Sequence, residues 1–392
     1  MKLEPLKATK KGKVSVRFIQ TGDIHLDTKF SGIRDDEKRA KRQEEQRECF
    51  KKIITIVKNR NPDFLLIAGD LFEQKHFSPD TINFIIGQLE SIPDTPVYIV
   101  AGNHDPYEQT SPYNTYEWPS NVHIFGPKFE ELELTNKNVV IHGISVTHKL
   151  QNTPILRNYS VPKDGRLHIV LMHGSEESDR NSMDTWERWL PFTQSDIEAC
   201  GADWYAVGHY HKCRPIPFQG TKIMGYYAGC PEPTKFNETG EKYIIEVELT
   251  KDDEPKVRKI ADQQMRTYRE ITIPCDGFKS REQIKEKINS LSTLYKNDVV
   301  KIILKGYTHP DFELRLDMLE DELQANFFGF DIENNTHTDY NLDKIRQTNP
   351  LIDHFLKEIE KAKNLHNQEV VEHAKILGLD ALLRQHVRAY ED

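Results

Sequence analysis

Five short motifs, each placed where a run of apolar and β-branched residues stops, constrain this chain more than any other feature. They are Gly22-Asp23-Ile24-His25, Gly69-Asp70, Gly102-Asn103-His104-Asp105, His173-Gly174 and Gly208-His209-Tyr210-His211. The runs before them read as strands: an alternating segment from Val14 to Ile19, then Phe64–Ala68, Val97–Val100, His168–Met172 and Tyr205–Val207. Taken singly, a Gly-Asp or an H-x-H is an ordinary turn. Taken together they describe one place, because ligands of open α/β sheets collect outside the carboxyl ends of the strands. Asp23, Asp70 and Asn103 offer oxygen, and His25, His173, His209 and His211 offer imidazole. That hard-to-borderline donor set suits manganese, iron or zinc rather than a thiolate-held ion. Seven donors exceed the needs of one tetrahedral ion, whereas two divalent ions about 3.5–4 Å apart would use them all. Asp70 is the natural bridge, since a carboxylate can place one oxygen on each ion.

Between the motifs the sequence alternates strands and helices. Phe50, Ile53, Ile54 and Val57 recur at helical spacing, and Ser78-Pro79 caps and starts a helix carrying Ile82, Ile85, Ile86 and Leu89. A strand-rich stretch follows (Ile223–Tyr227, Tyr243–Leu249), and Lys251–Lys256 reads as a hairpin turn or linker. This order predicts an α/β sandwich around mixed sheets. The pattern restarts near residue 265 with strand Tyr268–Ile273, helix Ser280–Leu291, strand Val299–Leu304 and helix Phe312–Leu323. After Asn349-Pro350 it becomes helical and amphipathic, with Leu351, Ile352, Phe355, Ile359, Leu379, Leu382, Leu383 and Val387 on the apolar stripe. The expected division is an N-terminal tail (1–13), a catalytic domain (14–262), a small capping domain (263–340) and a helical arm (341–392).

Composition narrows the function. The net charge of −9 argues against a protein that coats nucleic acid by bulk charge, but not against local capture of phosphate through metals. No stretch reaches the roughly 18 apolar residues of a membrane helix, and the Lys-rich start has no apolar segment before a cleavage site, so a cytoplasmic protein without membrane contact is expected. Five scattered cysteines without a C-x-x-C pair read as free thiols.

The set D-x-H, G-D, G-N-H-D, H-G and G-H-x-H, in this order, resembles the calcineurin-like metallophosphoesterase superfamily. Ala68-Gly-Asp-Leu-Phe72, Met172-His-Gly-Ser-Glu176 and Tyr227-Ala-Gly-Cys-Pro231, the last followed by an acidic hairpin, look like its SbcD-type DNA-break-repair exonucleases. The resemblance covers about residues 14 to 250. It implies a four-layer α/β/β/α sandwich with a small α+β cap and a helical C-terminal segment. It also implies two ions, Mn²⁺ first, with iron or zinc as alternatives. Asp23, His25, Asp70 and His211 would hold one ion, and Asp70, Asn103, His173 and His209 the other. His104 would stand outside the coordination shell and donate a proton to the departing sugar oxygen, Asp105 would orient that imidazole, and a bridging water would attack phosphorus.

The metals alone do not choose the phosphoester. Gly69-Asp-Leu-Phe-Glu-Gln-Lys75 and G-N-H-D depart from the G-D-x-x-D-R-G and G-N-H-E expected of a protein phosphatase of this superfamily. The resemblance therefore implies a DNA exonuclease/endonuclease, with a phosphodiesterase or phosphatase for nucleotides or other small phosphoesters as the alternative. The implied partners are DNA and an SMC-like coiled-coil ATPase docked on the C-terminal helices, with homodimerisation a further expectation. His76, His123, His142, His148 and His168 follow no motif and read as surface or satisfied core. Tyr107, Tyr113, Tyr116 and Trp118 read as packing on the sheet rim, with base stacking as the alternative. The basic residues Lys38, Arg39, Lys41 and Arg42 read as a solvated helix face, with phosphate contact as the alternative.

Overall fold

The computed structural model describes residues 14–177, 188–217, 223–261, 263–309, 314–340, 342–362 and 367–384. The expected N-terminal tail, Val387 and the start of the helix expected from Phe312 lie outside them. The chain divides into two compact units, one ending at Tyr268 and one beginning at Arg269.

In chain order the first unit contains β1 (Ser15–Thr21), α1 (Asp36–Arg60), β2 (Phe64–Ala68), α2 (Pro79–Glu90), β3 (Val97–Val100) and a single turn α3 (Pro112–Thr115). It continues with β4 (Val122–Ile124), β5 (Glu130–Leu134), β6 (Val139–Gly143), β7 (Leu167–His173), α4 (Gln194–Cys200) and β8 (Trp204–Gly208). It closes with β9 (Arg214–Ile216), β10 (Gly225–Tyr227), β11 (Ile244–Thr250) and β12 (Lys256–Ile260). Two six-stranded sheets result, in the orders β12-β11-β1-β2-β3-β4 and β5-β6-β7-β8-β10-β9. β1, β2, β3 and β4 run parallel, as do β6, β7 and β8, so their carboxyl ends share an edge.

Alternation along the strands builds the layers. Phe18, Phe64, Leu66 and Ala68 face Ile169, Leu171, Trp204 and Ala206 of the other sheet in one buried cluster. Ile19, Leu65 and Ile67 point the opposite way, onto Phe50, Ile53, Ile54 and Val57 of α1 and Ile82, Ile85 and Leu89 of α2. Val170, Met172, Tyr205 and Val207 pack on Ile197 and Cys200 of α4. The section is helix, sheet, sheet, helix. Strands buried on both faces are continuous apolar runs for this reason. α1 starts at Asp35, whose carboxylate accepts from the Lys38 amide, and α2 starts at Ser78 before Pro79.

The second unit holds a three-stranded sheet of β13 (Tyr268–Pro274), β14 (Val299–Thr308) and β15 (Gly329–Thr338), with β14 and β15 parallel. Helices α5 (Arg281–Tyr295) and α6 (Leu316–Leu323) bury Ile284, Ile288, Leu319 and Leu323 against it. Helices α7 (Leu342–Thr348), α8 (Pro350–Ala362) and α9 (Gln368–Arg384) follow. The apolar stripe read from the sequence divides here. Ile352, Leu356 and Leu379 bury one another, whereas Leu351 and Leu382 stay exposed.

Two readings of the charged and aromatic segments resolve. Arg42 is fully buried and donates to Glu45, Glu232 and the Pro233 carbonyl, so it is scaffold and not open to a phosphate chain. Tyr113 is buried and stacks on Trp118, and half-buried Tyr107, Tyr116 and Trp118 pack on the same cluster, in accord with the packing role.

Candidate metal centre

Every one of the seven expected donors stands at or just past the carboxyl end of β1, β2, β3, β7 or β8, because each strand stops at its motif. The backbone there is unusual. Asp23, His25, Asp70 and His209 have φ of 49°, 53°, 51° and 114°, the left-handed region that costs non-glycine residues energy. Strain of this kind persists only where the surroundings over-determine it. Two glycines let the loops close on Asp70: a Cβ on Gly102 would overlap the Asp70 carboxylate, and one on Gly208 would overlap the Ala68 carbonyl.

The donors converge on one another. Nε2 of His25 and Nε2 of His211 lie 3.0 Å apart. Nε2 of His173 and Nδ1 of His209 lie 2.9 and 3.1 Å from Oδ1 of Asn103. Oδ2 of Asp70 sits between the groups, 3.6 Å from His25 Nε2 and 3.4 Å from His173 Nε2. A single Asp70 oxygen therefore faces both sides, where one oxygen per ion was expected; its Oδ1 accepts the His104 amide at 2.8 Å. Asp23, fully buried, accepts the His209 amide and approaches His211 to 3.9 Å.

The remaining ring nitrogens identify which atoms carry lone pairs. His173 Nδ1 donates to the Ala68 carbonyl, which only accepts, so in the neutral ring its Nε2 is a lone pair aimed at Asn103 Oδ1 and Asp70 Oδ2. His25 Nδ1 faces Glu73 Oε1 at 2.9 Å and His211 Nδ1 faces Glu238 Oε1 at 2.6 Å, which leaves the two neutral Nε2 lone pairs pointing at each other. Buried acceptors confronting acceptors are satisfied together by a cation. The residues present thus fit divalent metal, in two groups: Asp23, His25 and His211, and Asp23, Asp70 and His173 each bring ligand atoms within 4.8 Å of one another.

Electrostatics follows from the packing. Burial opposes ionisation of Asp70, yet the imidazoles of His173, His25 and His104 hold its carboxyl below the usual range. Burial pushes Asp23 up. Burial and the His173 ring push His209 down to about 3. Burial works against the charged forms of His25, His104 and His211, but the carboxylates of Glu73 and Glu238 overcome it and raise all three.

Glu73 and Glu238 escaped the sequence reading. Glu73 binds two rings, His25 through Oε1 and His104 Nδ1 through Oε2 at 2.9 Å. Glu238 also accepts from the Thr234 amide, closing the hairpin that presents it to His211. The only sequence signals were the position of Glu73 inside the second motif and the acidic character of the hairpin.

Asp105 corrects an expectation. Its carboxylate accepts from the amides of Asp70, Leu71 and Gly102 and from the Tyr113 hydroxyl, not from His104. Four donors leave it no free direction toward the imidazole, and the orienting contact to His104 belongs to Glu73. Burial and the Asp70 charge push Asp105 up to about 6. His142 and His168, read as surface or core, are a buried pair, Nε2 to Nδ1 at 2.9 Å.

Residues 16–213 match the calcineurin-like phosphoesterase family. The chain belongs to that family. Its members are metal-dependent phosphoester hydrolases that typically hold two divalent ions, in accord with the donor groups above. Among curated relatives, it is 28% identical over 244 residues to the uncharacterized metallophosphoesterase YhaO of Bacillus subtilis, covering 60% of this chain and 58% of that protein. It is 28% identical over 244 residues to the DNA double-strand break repair protein Mre11 of Methanopyrus kandleri, 58% of this chain and 51% of the relative. It is 20% identical over 260 residues to a component of the nuclease SbcCD of Bacillus subtilis, 57% of this chain and 64% of the relative. The chain thus spans between half and two thirds of the length of these relatives. No described helix is long and apolar enough to cross a membrane.

Proposed function

We propose that this phosphoesterase hydrolyses phosphodiester bonds in DNA, as an exonuclease/endonuclease. The observation that carries the reading is a two-group donor cluster with a carboxylate oxygen between the groups and a ring, His104, beside it but bonded away from it. In this reading Asp23, His25, Asp70 and His211 hold one divalent ion and Asp70, Asn103, His173 and His209 the other. Bound there, the ions would supply Lewis acidity toward the phosphoryl oxygens and an acidified water.

The chain's own groups do the rest. His104 is held by Glu73 through Nδ1, which favours the imidazolium and leaves Nε2 to give a proton to the departing sugar oxygen. Glu73 and Glu238 hold Nδ1 of His25 and His211, which leaves each Nε2 as the atom that would meet an ion. Asp105 ties the loops after β2 and β3 together and so sets the position of Asp70 and of His104.

Support for DNA over small phosphoesters comes from the names of two relatives, a DNA-break-repair protein and a nuclease component. The residues exposed on α8 and α9, Leu351, Val370 and Leu382, support docking of these helices on a coiled-coil ATPase. Manganese is the metal this reading favours. The test is digestion of plasmid and linear DNA by the purified chain with Mn²⁺, alongside a nucleotide phosphodiester and a phosphomonoester. Cleavage of DNA supports the reading, and turnover of the small esters alone, with and without the ATPase, overturns it.

A further inference from the structure

Two grooves meet at the candidate centre, sharing His104, His211 and Lys235. The larger, about 920 Å³, passes Asp70, Asn103 and His209 and carries Lys212, Lys235 and Lys242 beside Glu238 and Glu241 on its wall. The smaller, about 430 Å³, runs from His25, Glu73 and His104 to an apolar wall of Phe30, Ile33, Phe236 and Tyr268.

That apolar wall is built to hold its shape. Phe236 stands edge-on to Tyr268, ring centroids 6.3 Å apart at 62°. The Arg42 guanidinium lies over the rings of Phe30 and Tyr268, at 5.0 and 5.5 Å, and is itself locked by the ion pair to Glu232 at 2.8 Å. A Cβ on Gly32 would come within 2.6 Å of the Phe236 ring, so the loop closes against that ring only because the residue is glycine. The buried Arg42 cation therefore serves as the brace of an aromatic surface.

We propose that the smaller groove is a nucleobase subsite, in which the base adjoining the scissile phosphate stacks on half-buried Phe236 while the anionic backbone follows the lysine-bearing groove. The occupant is argued from continuity: the groove opens onto His104 and His211, so a nucleic acid whose scissile phosphate sits there and whose chain enters the groove brings a base, its planar apolar group, against Phe236. The proposal rests on the phosphodiesterase reading for the position of that phosphate, and not for the groove's affinity for a ring.

The experiment reads binding without catalysis. The metal-free full chain is titrated with a 2-aminopurine dinucleotide, following quenching of its fluorescence, and the same dinucleotide with an abasic tetrahydrofuran in place of the fluorescent base is used as competitor. The base-bearing ligand binds about 10- to 100-fold more tightly than the abasic one. Phe236→Ala and the milder Phe236→Leu, which keeps apolar bulk but no π face, both erase the difference, and Phe236→Trp retains it. Equal affinity of the two ligands for the unaltered chain, or a difference that survives both Phe236→Ala and Phe236→Leu, overturns the subsite. Base-dependent binding by a chain that digests no DNA would uphold the subsite and sink the nuclease reading. DNA cleavage without base-dependent binding would do the reverse.

Discussion

His25 and His211, far apart in sequence, present Nε2 to Nε2 at 3.0 Å, each pinned from behind by a carboxylate, Glu73 and Glu238. The two rings can share this geometry only with a proton or a metal ion to occupy the lone pairs between them. Removing a carboxylate frees a ring to rotate or to change tautomer.

Glu238→Gln is therefore expected to weaken metal binding about 10- to 100-fold, the usual effect of losing a carboxylate behind a ligating imidazole. Isothermal titration of the metal-free protein with Mn²⁺ reads it directly. An unchanged affinity would remove Glu238 from the site.

Oδ2 of Asp70 approaches His25 of one donor group and His173 of the other. Asp70→Asn should lower the content of both ions in elemental analysis of protein purified in excess Mn²⁺. Loss of one ion alone would contradict the bridging position.

His104 lies beside the donors, but its Nδ1 turns to Glu73 and its ring is partly exposed. His104→Ala should lower the rate of phosphoester hydrolysis by about 10²- to 10⁴-fold while leaving metal content intact. Depleted metal in this variant would make it a ligand rather than a proton donor.

Arg42 is buried with Glu45 and Glu232. Arg42→Ala leaves buried Glu232 without its cation, with only the Met265 and Arg266 amides, while Glu45 keeps Arg266, and should cost about 3–5 kcal/mol in urea unfolding. Arg39→Ala, at the exposed start of the same helix, should cost far less. Equal losses would mean that the buried pairs add nothing.

His142 gives a pH prediction. Burial, helped by the neighbouring His168, pushes it down to about 4 from an ordinary 6.5. The unfolded chain then binds more protons than the folded one between those values, so stability falls as pH drops from about 6.5 to about 4 and levels off below. His142→Gln should flatten that part of the stability-against-pH curve. A curve of unchanged slope would show that the proton uptake occurs elsewhere.

The donors were legible in the sequence because their placement is a local property. A strand that ends at a glycine and turns places the next polar residue at the sheet edge, and Asp23, Asp70, Asn103 and His209 all follow that pattern, whereas His173 is itself the last residue of β7 and precedes its glycine. Apolar periodicity likewise announced α1, α2 and the buried strands, since burial on one or both faces is written directly into residue spacing. What the chain alone left open was which distant groups would meet. Glu73 reaches His25 across 48 positions, and Glu238 reaches His211 across 27. Asp105 turned from its neighbour His104 to the amides of Asp70 and Leu71, and Arg42 exchanged a solvated helix face for a buried brace. These pairings depend on the strand order of two sheets and on the burial it creates, where an unpaired charge or donor is too costly to leave alone. Linear spacing specifies the candidate donors, and the tertiary fold decides what holds them in place.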